Sequence, residues 1–237
     1  MAMKTSISSR PQKPPYAEYH RARFAFLLAL IRKFVPRNTA HILEVGRGPF
    51  TNDLFREYQN LTTLGFPLEA PSIAQAATYD ERIGHIVFNL NHARKRQAWP
   101  QLPGYDAIIL AEVIEHLTAA PEHVLTFLAS GLKPGGVLIV QTPNAVTLTN
   151  RLKLLAGRNP FERIRLHDDP GHFREYTKDE IIEIADHAGL SPVAHFYRNY
   201  FQALHPFSRA RDVLTDWTLP SLRRGQTVVF KKAAADG

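Results

Sequence analysis

Between Tyr105 and Ala111 the chain is an almost unbroken apolar run, and directly after it come Glu112-Val113-Ile114-Glu115-His116. Two carboxylates and an imidazole thus follow a strand-like segment with no spacer. Parallel strands buried on both faces read as continuous apolar runs, and open α/β sheets bind ligands beyond the carboxyl ends of their strands. A helical turn after Ala111 puts Glu112, Glu115 and His116 on one face, because residues three and four apart are neighbours there. Two oxygen donors and one ring nitrogen suit a divalent cation, and the same groups suit proton transfer. A plainer reading also stands: carboxylates are favoured at a helix start by the macrodipole, and His116 is then a packing residue.

A second group of candidates lies in Pro170-Gly171-His172-Phe173-Arg174-Glu175-Tyr176-Thr177. Thr177 followed by Glu180 has the spacing of a capping box and predicts a helix from 178. That leaves His172 and Arg174 in the loop entering the helix, beyond the fifth strand. Loops after strands four and five open onto the same sheet edge, which brings His172 toward Glu112, Glu115 and His116. Arg174 and Glu175 pair with each other or touch substrate, a surface ion pair being the commoner outcome. Earlier, His41-Ile42-Leu43-Glu44-Val45-Gly46-Arg47-Gly48-Pro49-Phe50 reads as a strand running into a glycine turn and then a helix. Gly46 and Gly48 allow a sharp turn and a close backbone approach to a ligand.

The elements that must position these residues follow from periodicity. Strand patterns fall at 41–46, 61–66, 84–88, 105–111, 136–142, 191–197 and 226–232, with helical patterns near 51–59, 71–78, 121–131 and 177–188. Such alternation predicts an α/β doubly wound sheet. Lys133-Pro134-Gly135-Gly136 is a tight turn feeding the fifth strand. Residues 1–15 form a loose tail, and 16–34 place Tyr19, Phe24 or Phe26, Leu27, Leu28, Ile31 and Val35 at helical spacing, so 1–39 reads as a tail with a cap helix. The remaining 40–237 is the main domain, with lid segments near 144–176 and 198–225 where the alternation fails. Phe196, Tyr197, Tyr200, Phe201, His205 and Phe207 lie after the sixth strand and either line an acceptor pocket or pack a lid.

The 237 residues suffice for a large buried core, and the absence of cysteine removes disulfides and thiolate metal sites. The apolar stretch from Phe24 to Val35 is broken by Arg32 and Lys33 and is too short to span a bilayer, so a cytoplasmic location without a transmembrane segment is expected. A net charge of +7 invites a polyanionic partner, yet the basic residues are scattered and no basic, aromatic-rich stripe is present. Nucleic acid is therefore possible but not favoured over a small-molecule acceptor. The oligomeric state is not legible.

Taken in order, Glu44-x-Gly46-x-Gly48, Asp106, Glu112-x-x-Glu115-His116-Leu117, Leu132-Lys133-Pro134-Gly135-Gly136 and Thr142-Pro143-Asn144 resemble class I S-adenosylmethionine-dependent methyltransferases. The resemblance covers about residues 40–197. It implies a Rossmann-like seven-stranded sheet whose last strand, 226–232, is antiparallel. It implies that Glu44, Gly46, Gly48 and Glu112 approach the cofactor, that an acid after the second strand holds the ribose, and that Asn89 takes the place of the adenine-binding acid. Asn89 is also a common strand-ending turn residue. Two positions depart from the pattern. Phe50 replaces a third glycine, and Phe66-Pro67 stand where the ribose acid is expected, leaving Glu69 as the substitute.

Glu-x-x-Glu-His with a later histidine further resembles the metal-dependent O-methyltransferases of quinone biosynthesis and the small-RNA terminal 2′-O-methyltransferases. That resemblance implies a magnesium-like cation on Glu112, Glu115, His116 and His172, where it would polarise a hydroxyl. Bacterial sugar and lipid methyltransferases share a similar pattern without an established ion. The expected activity is O-methylation of a small-molecule, sugar or lipid-like acceptor, with His116, His172 and Glu112 as catalytic groups. The alternatives are a degenerate member that binds a ligand without methyl transfer, as the two departures suggest, and an RNA 2′-O-methyltransferase.

Overall fold

The computed structural model describes residues 15–36, 39–69, 80–164, 171–201, 203 and 205–234. The predicted helix near 71–78 lies outside them. Seven strands form one sheet: β1 (Ile42–Val45), β2 (Leu61–Gly65), β3 (Gly84–Val87), β4 (Tyr105–Ala111), β5 (Leu132–Pro143), β6 (Leu190–Arg198) and β7 (Gly225–Lys232). Their order is β3-β2-β1-β4-β5-β7-β6, and β7 runs antiparallel to both β5 and β6. The doubly wound sheet is therefore as the alternation predicts, and its antiparallel last strand as the resemblance implies. The strand order reverses between β1 and β4, the place where such sheets open a crevice at their carboxyl ends.

The helices are α1 (Tyr16–Tyr19), α2 (Arg21–Phe34), α3 (Pro49–Glu57), α4 (Pro121–Ser130), α5 (Leu148–Leu155), α6 (Lys178–Asp186) and α7 (Pro206–Asp216). The predicted cap helix over 16–34 is thus two pieces joined at His20, and its buried stripe uses Arg23 and Leu30 where Tyr19 and Leu28 were expected. Two apolar cores sandwich the sheet. One joins Leu43, Ile108, Leu110, Leu138 and Val140 to α4 and α6, and the other joins Ile42, Ala107, Ile109 and Ile139 to α2 and α3. Strand side chains alternate between faces, so this division decides where the polar residues point. Glu44 and Gln141 fall on the α2 and α3 side with Ile42 and Ile139, whereas Thr142 falls on the α4 and α6 side with Leu138 and Val140.

The turn expected to feed the fifth strand lies inside it. Tyr105 pairs with Leu132 and Ala107 with Val137, so residues 133–136 bulge opposite Asp106. A Cβ on Gly136 would meet the Lys133 carbonyl at 2.9 Å and that of Tyr105 at 3.0 Å, which explains glycine there. Asp106 accepts from the His41 amide at 2.7 Å and from Lys133 Nζ at 2.9 Å, which closes the sheet edge opposite the site.

Candidate functional site

Gly46 follows β1 with φ of +90°, a left-handed conformation that strains any Cβ, and its amide donates to Leu64 O at 2.8 Å. Gly48 then caps α3, its amide donating to Thr51 Oγ1 at 3.0 Å. The turn opens a cavity of about 150 Å³ lined by Glu44, Gly46, Gly48, Phe50 and Glu112, and by Tyr16, Arg23 and Phe24 from the N-terminal helices. Phe50 does not fill this space. Its ring turns toward α2 and packs obliquely on Phe24 with centroids 5.3 Å apart.

Burial dominates the electrostatics of the cavity. Glu44 is pushed up to about 8 by burial, despite a hydrogen bond from Thr51 and the nearby charges of Arg23 and Arg47. Burial also raises Glu112, with Arg23 and His172 opposing it. Glu44 Oε2 and Glu112 Oε1 are both buried without a hydrogen-bond partner. Leaving such an oxygen unpaired costs about 1–3 kcal/mol, so both are placed to welcome a donor.

Arg23 is a cavity residue that sequence reading missed. It sits on the buried stripe of α2, donating to Gln141 Oε1 and to Tyr16 Oη, each at 3.4 Å. Gln141 Nε2 in turn donates to Thr227 Oγ1 at 3.0 Å, and Thr227 bonds the buried Tyr200 hydroxyl. An arginine at a core position of an otherwise apolar stripe was the available signal.

The segment after β4 departs from the expected helix. Glu112 has φ of +56°, and only a single 3-10 turn, Ile114–His116, follows. The Glu112 amide still pairs with Gln141 O at 2.8 Å, so the residue ends the strand by turning left-handed instead of starting a helix. The reversal sends Glu112 to the Arg23 side and Glu115 through to the other. Glu115 is fully buried there, and its Oε2 accepts from Thr142 Oγ1 at 2.9 Å.

His172 reaches Glu115 because the loop is tied down. Phe173 N donates to Glu115 O at 2.8 Å, and His116 Nδ1 donates to Gly171 O at 3.0 Å. The two imidazoles stand edge to face with centroids 4.9 Å apart. His172 Nδ1 bonds Glu175 Oε1 at 3.0 Å, and this contact raises its pKa against the effect of burial. One ligand atom from each of Glu115, His116 and His172 lies within 4.8 Å of the others. Glu112, the fourth residue of the expected set, is outside that group.

Burial and the neighbouring Glu112 push Glu115 up to about 8, and its Oε1 has no hydrogen-bond partner. Ring nitrogens anchored through Nδ1 to a carbonyl and a carboxylate are the outer-shell pattern of metal-binding histidines. Ligands across a cation at ~2.1 Å per bond stand at most ~4.2 Å apart, a tighter spacing than the 4.8 Å within which these three atoms lie.

Other expectations resolve locally. Thr177 and Glu180 form the predicted capping box, and Arg174 pairs with Glu180 at 2.6 Å, so the expected Arg174–Glu175 pair is replaced. Asn89 Oδ1 accepts from Asn91 N at 3.0 Å as a cap, Glu69 is exposed, and neither lines the cavity. Phe196 and Tyr200 pack on Phe26, and Phe201 on Tyr19, which is the packing outcome, while Phe207 is exposed. Among the described residues no helix is long and apolar enough to cross a membrane.

A profile described as a methyltransferase domain matches residues 19–195. No curated protein matches the sequence. Solved structures of the same fold include an S-adenosylmethionine-dependent methyltransferase from Archaeoglobus fulgidus, at 13% identity, 92% and 98% coverage of this chain and that one, and a TM-score of 0.57. A Haloferax volcanii protein bound to the Trm112 methyltransferase activator has 14% identity, 93% and 92% coverage and a TM-score of 0.62. The N-methyltransferase NodS of Bradyrhizobium japonicum, in complex with S-adenosylhomocysteine, has 16% identity, 94% and 93% coverage and a TM-score of 0.54.

Proposed function

This chain belongs to the methyltransferase domain family and is an S-adenosylmethionine-dependent methyltransferase, and from that premise we propose that its acceptor atom is a hydroxyl oxygen. The observation that carries the reading is the cluster of Glu115, His116 and His172, which begins just after Glu112 of the Gly46 cavity. An alcohol is a poor nucleophile until its proton is drawn off, and two imidazoles and a buried carboxylate are groups that draw it. The acceptor is a small-molecule, sugar or lipid-like alcohol.

S-adenosylmethionine supplies a sulfonium methyl group when bound. On the protein side, Gly46 and Gly48 admit its methionine portion, and the unpaired oxygens of Glu44 and Glu112 accept from its ammonium group. Arg23 balances those carboxylates and offers donors to the ligand carboxylate. Glu69 and Asn89, after β2 and β3, are assigned to the ribose and adenine by their place in the fold. Methyl transfer is an in-line displacement, so most of the protein's contribution is to orient the two reactants in a dry crevice.

Glu115, His116 and His172 also suit a magnesium-like or transition-metal cation, which would lower the pKa of the bound hydroxyl. The anchoring of both histidines through Nδ1 supports that reading. Calorimetry with S-adenosylhomocysteine, followed by turnover with and without chelator on simple alcohol acceptors, tests it. Absence of binding at millimolar ligand rejects the cofactor assignment. Methyl transfer only to amines rejects the hydroxyl.

A further inference from the structure

The two helices of the lid segments are inside out. On α7 the residues turned inward are polar: Asp212 accepts from Arg224 at 2.7 Å, and the buried Thr215 accepts from Asn199 Nδ2 at 2.9 Å. Its outer stripe is apolar, with Phe207 74% exposed, Leu214 54% and, just past the helix, Trp217 87%. Positions 207, 214 and 217 fall at i, i+7 and i+10, one face of a helix. Helix α5 repeats the inversion. Asn150 turns inward to donate to Ala145 O at 2.9 Å, while Leu152 and Leu155, three apart, are 54% and 85% exposed.

Two side-chain hydrogen bonds link these segments. Arg211 Nη1 donates to Thr149 Oγ1 at 3.3 Å, and Arg151 Nη2 to Ser221 Oγ at 3.1 Å just beyond α7. Scattered single apolar residues are ordinary on a surface, whereas stripes of large ones on two linked helices mark an interaction face. The surrounding charge says with what. Segments 148–164 and 205–224 carry eight Lys and Arg against three Asp and Glu. Arg211, Arg223 and Arg224 pair with Asp212 and Asp216, which leaves Arg151, Lys153, Arg158, Arg163 and Arg209 against Glu162. Apolar aromatic and leucine stripes flanked by basic side chains are the composition of helices that lie in the plane of an anionic lipid surface.

We propose that α5 and α7 together dock this enzyme on an anionic lipid bilayer, with Phe207, Trp217 and Leu155 entering the interface and Arg158 and Arg163 meeting phosphate headgroups. The docking face is independent of the acceptor reading. It does adjoin the site, since Asn150 Nδ2 also donates to Glu175 at 3.5 Å, and Glu175 holds His172.

The test floats the full-length protein with vesicles of equal phosphatidylcholine and phosphatidylglycerol, or of phosphatidylcholine alone. Binding to the anionic vesicles is expected to be at least about tenfold stronger, and to fall about tenfold in 0.5 M salt or in the Arg158→Glu, Arg163→Glu double variant. Phe207→Ser with Trp217→Ser should weaken it similarly, because both residues are exposed and their loss leaves the core intact. Tryptophan emission should shift to the blue on binding, and not in Trp217→Phe. No binding, equal binding to neutral vesicles, or binding untouched by these variants overturns the proposal. So does a concentration-dependent dimer that removes Trp217 from quencher in the absence of lipid, since the occupant is then a second copy.

Discussion

His172 Nδ1 stands 3.0 Å from Glu175 Oε1, and that contact holds a ring that lies edge to face with His116 at a centroid distance of 4.9 Å. His172→Ala is expected to abolish methyl transfer while leaving S-adenosylhomocysteine affinity within about twofold, since His172 does not line the cofactor cavity. Glu175→Gln should lower activity or cation affinity by about 10–100-fold, the usual effect of losing an outer-shell carboxylate. Turnover after chelation and after adding magnesium back separates a cation site from a metal-free base. A rate indifferent to chelator and tracking a histidine titration assigns the base.

Glu44 gives a pH signature. Its folded pKa of about 8 lies above the ordinary carboxyl value of 4.5, so the folded state holds a proton that the unfolded chain releases between those pH values. The stability it contributes is complete below about pH 4.5 and is lost as pH rises toward 8. Glu44→Gln should match the parent in thermal melts at pH 4 and exceed it at pH 8. The same substitution should weaken S-adenosylhomocysteine, whose affinity for the parent should rise with pH up to about 8.

The left-handed backbone at Glu112 is a strained position for a residue with a side chain, costing on the order of 1–3 kcal/mol. Glu112→Gly should therefore raise unfolding free energy by about 1 kcal/mol in urea titrations, an exception to the rule that buried-site substitutions destabilise. Its activity should fall. A variant that gains stability and keeps full activity would remove Glu112 from the site.

Phe50 belongs to the core between α2 and α3. Phe50→Ala should cost about 3–5 kcal/mol in the same measurement. It should bring no gain in cofactor affinity, because the ring packs on Phe24 and leaves the cavity open.

Thr177→Ala removes one half of the capping box at α6. A loss of about 1 kcal/mol is expected, and Thr177→Ser should restore most of it.

What the sequence disclosed tracks the range of the forces involved. Strand β4 was read to the residue because seven near-continuous apolar positions have no other use, and the Thr177–Glu180 box because capping is a contact across three residues. The convergence of His116 and His172 followed from topology, since both lie on loops at one sheet edge. Glu112 was misread because glutamate favours helices, and nothing local announces that pairing with Gln141 holds its amide in the ladder while the chain turns left-handed. Arg23 was missed because its partner Gln141 is 118 positions away. The expected pairing of Arg174 with Glu175 failed because His172 competes for Glu175 and Glu180 lies within reach of Arg174.

That same 118-residue separation sets a schedule for biosynthesis. Helix α2 leaves the ribosome before any strand, yet its stripe of Phe24, Leu27, Leu30 and Ile31 has nothing to settle on until the central strands exist. At translation speeds of about 5–20 residues per second, Gln141 follows Arg23 by about 6–24 seconds. Ile42, Phe50 and Leu54 reach that stripe early, so through most of the interval it is Arg23 that waits for its partner. The cavity beside Gly46 has Arg23 in its wall and is therefore completed only once β5 has followed.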